Sequence, residues 1–594
     1  MSAHDEDVIG KAYDSRLMKR LLGYLRPYKP QVALALVAII TSAVLQLAPP
    51  YLTRLAIDRY IGQRDMAGLP MLAAAYCSVL VGGFLLEYLQ TWLMQMTGQR
   101  IMFDLRREMY AHLQRLDLRF YDRNPVGRLM TRVTSDVDVL NDLFTAGVVA
   151  IFGDVFTLAG IMIVMLGMNW KLALASFVVL PLIFLVTQWF RRHVRESYRV
   201  VRGWIARINA FLQENLTGIS TVQLFRREPA NFDRFDTINK AHRDANIDSI
   251  FYYAVFYPAI ELVGALAASI IIWLGGLDVM SGTLTLGVLV AFLQYSARFY
   301  RPISDMSEKF NVLQSAMASS ERIFTLLDTP VAVMNAAEPV KVAGALAGHI
   351  VFDHVWFAYN GEDWVLKDVS FEVRPGQRVG LVGATGSGKT TIISLLLRFY
   401  EVQRGRILVD GHDIKALDLA QLRALFALVL QDVHLFSGTV TENIRLGEGG
   451  IDESQVRRAA EAVRAHRFIA DLKDGYEAHV AERGATFSTG EKQLLSFARA
   501  LAFDRRVLIL DEATSSVDTE TELVIRDALD VLMRGRTTIA VAHRLSTIQG
   551  MDTILVLHKG VLREQGTHQE LLAKRGIYYR LYQLQFKDAV PKSA

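Results

Sequence analysis

The most constraining feature of this 594-residue sequence is a set of six apolar stretches before residue 300. An α-helix of about 20 apolar residues is long enough to cross the ~30 Å hydrocarbon core of a bilayer. Four of the stretches carry no charged residue, and each of the other two contains one carboxylate. They comprise residues 31–48, 69–86, 148–168, 172–190, 250–276 and 279–297. The sequence therefore predicts a polytopic membrane domain of six helices.

The basic residues indicate how these helices are oriented. Arg and Lys are concentrated before the first stretch and in two long connections, after the second and after the fourth stretch. Cytoplasmic loops carry an excess of these residues. We therefore expect a multi-pass protein of the cytoplasmic (inner) membrane, with both termini and the long connections in the cytoplasm. The first connection, residues 51–68, fits less well because it contains three arginines.

The two long connections keep a helical pattern. Apolar residues recur three or four positions apart from Ile101 to Leu116, with Arg and Glu between them. This pattern predicts that the membrane helices continue well into the cytoplasm and turn at residues 121–127 and 215–219. A separate soluble helical hairpin at each connection is the less favoured alternative, because no Gly/Pro cluster separates it from the apolar stretches.

Three acidic residues, Glu87, Asp154 and Glu261, lie within or beside apolar stretches. Ionisable groups at membrane depth are costly and tend to face a bundle interior or a wet cavity. Two interpretations remain open. These carboxylates line a substrate path with some preference for cations, or they pair with a basic residue or lie nearer the interface.

Composition agrees with a chain that is only partly membrane-embedded. Hydrophobic residues make up 52% and charged residues 21%, against about 45–50% and 25% in soluble domains, and the excess lies in the first half. The single cysteine, Cys77, excludes an internal disulfide framework and a cysteine-based metal cluster. We divide the chain into a cytoplasmic N-terminal segment (1–30), a membrane domain (31–326), a linker (327–348), an α/β domain (349–585) and a tail (586–594).

Within the α/β domain, residues 383–390 read GATGSGKT and match the phosphate-binding pattern G-x-x-x-x-G-K-[ST]. A short aliphatic stretch, residues 378–382, predicts a buried strand before it, and residues 391–397 predict a helix after it. Backbone N–H groups of such a loop surround a phosphate at a helix N-terminus. Lys389 is expected to reach the β- and γ-phosphates and Thr390 to bind Mg²⁺. The alternative, an ordinary glycine-rich turn, does not explain the Lys-Thr pair.

Two further strand ends carry polar residues that suit phosphate chemistry. Residues 507–510 are four aliphatics that lead directly to Asp511 and Glu512. Ligands of α/β sheets bind at the carboxyl ends of the strands, so Asp511 is expected to hold Mg²⁺ and Glu512 to orient or deprotonate water. Residues 537–542 form a second aliphatic strand that precedes His543, a candidate γ-phosphate contact. Taken alone, the two acids would suggest only a solvated strand end, and His543 would more often be structural.

Two other positions gain meaning only in this context. Ser488 and Gly490 precede a helical pattern and form a second candidate anion site at a helix N-terminus. One domain has no need for two phosphate sites unless the second serves the nucleotide of another chain. Tyr359 ends a predicted strand and is placed to stack on a purine, although a core tyrosine would be the simpler explanation of that residue alone.

Together these motifs resemble the half-transporters of the ABC exporter family over nearly the whole chain. The phosphate loop resembles Walker A, residues 507–512 resemble Walker B with its catalytic glutamate, and residues 515–518 resemble the D-loop, with Ser516 and Asp518. The resemblance implies catalytic roles for Glu512, His543 and Gln431, and Mg²⁺ ligation by Thr390, Gln431 and Asp511. The ATP contacts that it implies are Tyr359, Gly383, Ala384, Thr385, Gly386, Ser387, Gly388, Lys389, Thr390 and Thr391.

The resemblance also implies a dimer that exports its substrate by alternating access. Each ATP, with Mg²⁺ as cofactor, would lie between Walker A of one chain and the signature segment of the other, here Ser488, Thr489, Gly490 and Glu491. The expected partners are a second half-transporter, the lipid bilayer and an amphipathic drug, lipid or peptide, with no nucleic acid. The two cytoplasmic turns would be coupling helices.

The signature departs from the family pattern, because residues 487–491 read FSTGE where LSGGQ is usual. Glu491 would place a carboxylate near a triphosphate, where like charges repel. An altered signature beside an intact Walker B glutamate is typical of one chain of a heterodimer, so we favour a heterodimer over a homodimer. An ATP-gated channel or membrane regulator of the same fold is the alternative function, although no regulatory insertion favours it.

Overall fold

The computed structural model describes residues 14–64, 67–481, 484–511, 519–541 and 548–586. Its chain forms two compact units. The first combines Met1–Gln114 with Val126–Thr329, and the second combines Arg115–Pro125 with Pro330–Ala594. The short segment Arg115–Pro125 therefore belongs with the C-terminal half of the chain.

The first unit is helical throughout its described residues. Short polar helices precede and interrupt the long ones, and Asp14 caps the first through its side chain. The helices are α1 (Ser15–Gly23), α2 (Lys29–Leu55), α3 (Leu69–Leu113), α5 (Val126–Val133), α6 (Ser135–Asp142), α7 (Val149–Met168), α8 (Trp170–Phe177), α9 (Leu180–Thr217), α10 (Ile219–Leu224), α11 (Glu228–Met280) and α12 (Leu286–Leu327), with α4 (Leu118–Arg123) assigned to the second unit.

Five of the described helical segments are long and apolar enough to cross a membrane, and a shorter apolar segment, Leu286–Phe299, begins α12. The predicted sixth stretch began at residue 279, which is wrong because α11 continues to Met280 and a turn precedes α12. That turn is stabilised by Thr285, whose side chain accepts a hydrogen bond from the backbone of Val288. The predicted fourth stretch is likewise interrupted between α8 and α9, ahead of Pro181.

Several helices are much longer than a bilayer requires. Helix α3 has 45 residues and α11 has 53, which correspond to about 68 and 80 Å at 1.5 Å per residue. Helix α3 is continuous through the periodic residues of the first long connection, and Ile101, Leu105 and Met109 are fully buried. The helical pattern therefore continues the apolar stretch rather than forming a separate hairpin.

The three intramembrane carboxylates have different environments. Asp154 on α7 forms an ion pair with Lys309 on α12, and both side chains are largely buried. Glu87 and Glu261 are exposed in the isolated chain. Pairing with a basic residue thus accounts for Asp154, whereas the two exposed residues remain candidates for a substrate path.

The second unit contains two main sheets and a two-stranded ribbon. The strands are β1 (Ile350–Ala358), β2 (Trp364–Val373), β3 (Arg378–Val382), β4 (Arg404–Val409), β5 (His412–Asp413), β6 (Phe426–Val429), β7 (Gly438–Thr439), β8 (His479–Val480), β9 (Val507–Asp511), β10 (Thr537–Val541), β11 (Thr553–His558) and β12 (Val561–Gly566). The four-stranded sheet has the order β2-β1-β4-β5, and the six-stranded sheet the order β12-β11-β3-β10-β9-β6. In the larger sheet only β12 is antiparallel.

Besides α4, this unit contains the helices that follow along the C-terminal half of the chain. They are α13 (Lys389–Leu396), α14 (Leu419–Ala424), α15 (Val440–Arg445), α16 (Glu453–Ala462), α17 (His466–Asp471), α18 (Thr489–Ala502), α19 (Thr519–Met533), α20 (His568–Lys574) and α21 (Ile577–Phe586). Side chains alternate along a strand, so β9 buries residues on both faces of the sheet. Leu508 and Leu510 pack on the face covered by α18 and α19, and Ile509 packs on the opposite face, with α13. This two-sided burial explains why its sequence is uniformly aliphatic.

From Pro330 onward the segment predicted as a linker is assigned to the second unit, and several of its residues are hydrogen-bonded there. The backbone N–H of Val340 donates to Ala416, and Gln421 exchanges hydrogen bonds with the backbone of Val342. Asn335 accepts from the backbone N–H of Leu419, next to the start of α14. These contacts anchor the segment to the second unit, although its sequence has no periodic pattern.

Candidate nucleotide site

The candidate site is built on the central strand of the six-stranded sheet. Strand β3 lies between β10 and β11, and both neighbours run parallel to it. The loop of residues 383–388 follows directly, and α13 begins at Lys389. The predicted strand–loop–helix order is present, with the helix starting two residues earlier than expected.

The loop needs glycine at defined positions. Gly386 and Gly388 have φ angles of +78° and +105°, a region that L side chains rarely adopt. Gly383 is constrained by space, because an added Cβ would lie 2.3 Å from the backbone oxygen of Leu557 and 2.6 Å from Ser387 Oγ. The chain therefore passes this point in close contact with β11.

Lys389 is the first residue of α13, and its side chain is buried at the loop. Its Nζ donates hydrogen bonds to the carbonyl oxygens of Gly383, at 2.8 Å, and Ala384, at 3.1 Å. Burial lowers the pKa of this ammonium group, and the Asp511 carboxylate partly opposes that effect. A buried cation that donates to carbonyl oxygens is well suited to exchange them for an anionic phosphate.

Other groups of the loop fit a phosphate chain with a bound divalent cation. Ser387 Oγ is buried and has no hydrogen-bond partner in the described structure. Thr390 is exposed in the first turn of α13, whereas Thr391 shares a hydrogen bond with the hydroxyl of Tyr359 at 3.1 Å. The hydroxyl of Thr390 and the carboxylate of Asp511 are oxygen ligands of the kind that Mg²⁺ prefers.

The parallel sheet places two further predicted residues, Asp511 and Gln431, at the carboxyl ends of its strands. Asp511 ends β9, and Gln431 is exposed two residues after β6. Glu512 and His543 follow β9 and β10 in the sequence, but they lie outside the described residues, as do the D-loop residues Ser516 and Asp518. Their assigned roles therefore remain predictions.

The signature segment forms the capped start of α18. Ser488 is the N-cap: its Oγ accepts from the backbone N–H of Glu491 at 3.3 Å. In return the Glu491 carboxylate accepts from the backbone N–H and the hydroxyl of Ser488, both at 2.8 Å. This reciprocal arrangement is a capping box. Thr489 and Gly490 occupy the first turn, where Gly490 is buried.

Glu491 thus has a local structural role that the sequence analysis did not anticipate. The sequence S-x-x-E directly before an apolar helical pattern is a recognised signal for a capping box. The carboxylate is held against the N-terminus of its own helix, where the helix dipole favours a negative charge.

Tyr359 follows β1 and has aromatic neighbours. The rings of Phe357 and Tyr400 are nearly perpendicular to it, with centroids 4.9 and 5.2 Å away. The sequence analysis selected Tyr359 but not Tyr400. Tyr400 lies about 40 residues further along the chain, and its ring meets that of Tyr359 only in the folded protein.

Comparison with known proteins relates this arrangement to a family. A family model described as the ABC transporter transmembrane region matches residues 32–303, and one described as ABC transporter matches residues 366–515. The uncharacterized ABC transporter ATP-binding protein YknV of Bacillus subtilis (strain 168) is 38% identical over 590 residues, which cover 98% of this chain and 97% of that protein. The ATP-dependent lipid A-core flippase of Syntrophus aciditrophicus (strain SB) is 36% identical, with 96% of this chain and 95% of the relative covered.

A solved structure extends the likeness to three dimensions. It is the structure of a bacterial Atm1-family ABC exporter with ATP bound, which matches with a TM-score of 0.78 and 28% sequence identity. The match covers 95% of this chain and 99% of that chain. The membrane-spanning helices, the phosphate loop and these full-length relatives lead to one conclusion: the chain belongs to the ABC transporters and is an integral membrane protein of the exporter fold with a fused ATPase domain.

Proposed function

We propose that this chain uses ATP hydrolysis to export an amphipathic substrate across the cytoplasmic membrane by alternating access. The observation that carries the proposal is the union, in one polypeptide, of bilayer-length helices and a phosphate loop at the centre of a parallel sheet. The relative named a lipid A-core flippase supports a lipid-like substrate as the first class to test. Drugs and peptides are the other amphipathic classes.

In this proposal the loop residues bind the triphosphate and the strand ends act on it. Lys389 exchanges its bonds to Gly383 and Ala384 for the β- and γ-phosphates, and the backbone of residues 383–391 surrounds the phosphate chain. Thr390, Gln431 and Asp511 are the residues that would hold Mg²⁺, which when bound would supply positive charge to offset that of the transferred group. Glu512 positions or deprotonates the attacking water, and His543 contacts the γ-phosphate.

We infer that the working unit is a dimer in which Ser488, Thr489 and Gly490 of one chain approach the nucleotide of the other. Ser488 caps α18, and Thr489 and Gly490 lie in its first turn, at a helix N-terminus of the kind that binds anions. The FSTGE sequence supports a heterodimer with a chain whose signature is intact. The mass of this chain purified alone in lipid nanodiscs tests the heterodimer: a dimer of this chain alone with robust ATPase activity would contradict it.

We further propose that both termini, and with them the ATPase domain, lie in the cytoplasm. Arg191, Arg192, Arg195 and Arg199 follow one face of α9, beyond its apolar first turns. Phe190 and Val194 are buried on the other side of the helix. The position of these arginines, beyond the apolar first turns of α9, supports the orientation that the positive-inside rule predicts. Cysteine labelling from each side of sealed vesicles would test it.

Transport in proteoliposomes tests the function itself. The chain, with any co-purifying partner, is reconstituted with a fluorescent phospholipid, and ATP is added outside to act on outward-facing ATPase domains. We expect ATP-dependent movement of the lipid that is lost in Lys389→Ala. Movement that needs bound ATP but continues in Glu512→Gln would indicate a gated channel or scramblase instead of a pump.

A further inference from the structure

The segment Arg115–Pro125 contacts the residues that surround Tyr359. This segment contains α4 and belongs to the second compact unit. Arg119 donates from Nη2 to the backbone oxygen of Tyr359 at 3.1 Å, and Arg123 donates to Oδ1 of the next residue, Asn360, at 2.8 Å. Two guanidinium groups from one short helix therefore hold the chain at and directly after this tyrosine.

A second connection runs through Tyr400. Its hydroxyl donates a hydrogen bond to Oδ2 of Asp122, and its ring lies perpendicular to that of Tyr359 at 5.2 Å. Tyr400 is buried, with 9% of its surface exposed. Burial, together with the hydrogen bond to Asp122, raises the pKa of this phenol above its ordinary value, so the group remains a donor at neutral pH.

The segment is itself fixed in place. Asp117 caps α4 by accepting from the backbone N–H of Phe120, and its other oxygen accepts from the backbone N–H of Ala332 at 3.3 Å. A cavity of about 70 Å³ lies between these elements and is lined by Asp117, Arg119, Tyr359 and Tyr400, among others.

We propose that α4 is a working part of the nucleotide site: Arg119 directly, and Asp122 through Tyr400, position the Tyr359 ring to stack on the base of ATP. The inference rests on the proposed stacking role of Tyr359. The tyrosine is held from three directions, by Arg119 at its backbone, by Tyr400 at its ring and by Thr391 at its hydroxyl. Fixing an aromatic ring before binding removes an ordering cost that would otherwise reduce affinity.

Equilibrium binding of a fluorescent ATP analogue labelled on the ribose tests the proposal with the full-length chain in nanodiscs. Arg119→Ala and Tyr400→Phe should each raise the Kd by about three- to tenfold, because each removes one hydrogen bond that fixes the tyrosine. Arg119→Lys should partly restore affinity. Arg115→Ala is the matched control, since it removes the same charge from an exposed position of the same segment. Melting temperatures identify variants that fail to fold.

The decisive comparison is a double-mutant cycle with Tyr359→Ala. Tyr359→Ala should itself raise the Kd, and Arg119→Ala should then add little, because its effect acts through the ring. An unchanged Kd in Arg119→Ala and Tyr400→Phe would overturn the proposal while leaving the stacking role intact, as would an effect of Arg119→Ala that persists fully beside Tyr359→Ala. An unchanged Kd in Tyr359→Ala would instead refute the stacking role, and the inference with it.

Discussion

The three glycines of the phosphate loop should respond differently to the same substitution. At Gly383 an added Cβ would lie 2.3 Å from the backbone oxygen of Leu557, about 1 Å closer than an ordinary C···O contact. Leu557 is part of β11, which pairs with β3 along its length. Neither strand can shift without loss of parallel hydrogen bonds, so we expect Gly383→Ala to cost about 3 kcal/mol of stability.

Gly386 is the matched control within the same loop. Its φ is +78°, but no atom lies within 4 Å of an added Cβ. Gly386→Ala should therefore cost only the left-handed strain of a non-glycine residue, about 1 kcal/mol. At Gly388 the φ angle is +105°, and an added Cβ would lie 2.5 Å from Leu366 Cδ2, the flexible end of a side chain. The stability cost of Gly388→Ala should fall between those of the other two substitutions.

The assay is thermal unfolding of each variant in detergent without nucleotide, followed by binding of a fluorescent ATP analogue. We predict the lowest melting temperature for Gly383→Ala, and we expect its nucleotide affinity to be reduced at least tenfold because the distorted loop no longer directs its N–H groups inward. A Gly383→Ala protein that melts at or above the temperature of Gly386→Ala would refute the reasoning from close approach.

Three further predictions concern other residues. Glu491→Gln should keep the melting temperature, because glutamine also completes a capping box, whereas Glu491→Ala should cost about 1 kcal/mol by thermal unfolding. Thr390→Ala should abolish the Mg²⁺ dependence of ATP binding with little change in the stability of the nucleotide-free protein, since the side chain is exposed. Burial lowers the pKa of His568, so the stability that its neutral form provides is complete above pH 6.5 and is lost as the pH falls through the lowered pKa. Melting temperatures between pH 7.5 and 5.5 should fall less steeply in His568→Gln.

Local patterns were enough to predict the elements that carry the site. Strand β3 matches its predicted range, and β9 and β10 each end within one residue of their own predicted ends. Aliphatic runs that are buried on both faces indicate central parallel strands. The phosphate loop was recognisable because its glycines and its Lys-Thr pair are adjacent in sequence. These features depend on residues a few positions apart, which a sequence shows directly.

Features that depend on distant residues were not predictable in this way. The contact of Tyr400 with Asp122 joins residues 278 positions apart, and no local pattern distinguishes either one. Asn335 and Val342, in the segment predicted as a linker, are hydrogen-bonded to α14 across 84 and 79 positions of sequence, and no local pattern indicates these contacts. The capping box at Ser488 was an exception: its signal was local, but the comparison with a family signature directed attention to charge rather than to helix capping.

The central claim, that this chain hydrolyses ATP at its own phosphate loop, is tested most directly by photolabelling in membranes of the organism that encodes it. Labelling with radioactive 8-azido-ATP on ice reports binding, and labelling after vanadate trapping at 37 °C reports turnover at the same site. We predict that wild type is labelled in both assays, Glu512→Gln on ice only, and Lys389→Ala in neither. Vanadate-trapped label at the wild-type level in Glu512→Gln, or normal labelling of Lys389→Ala on ice, would contradict the account.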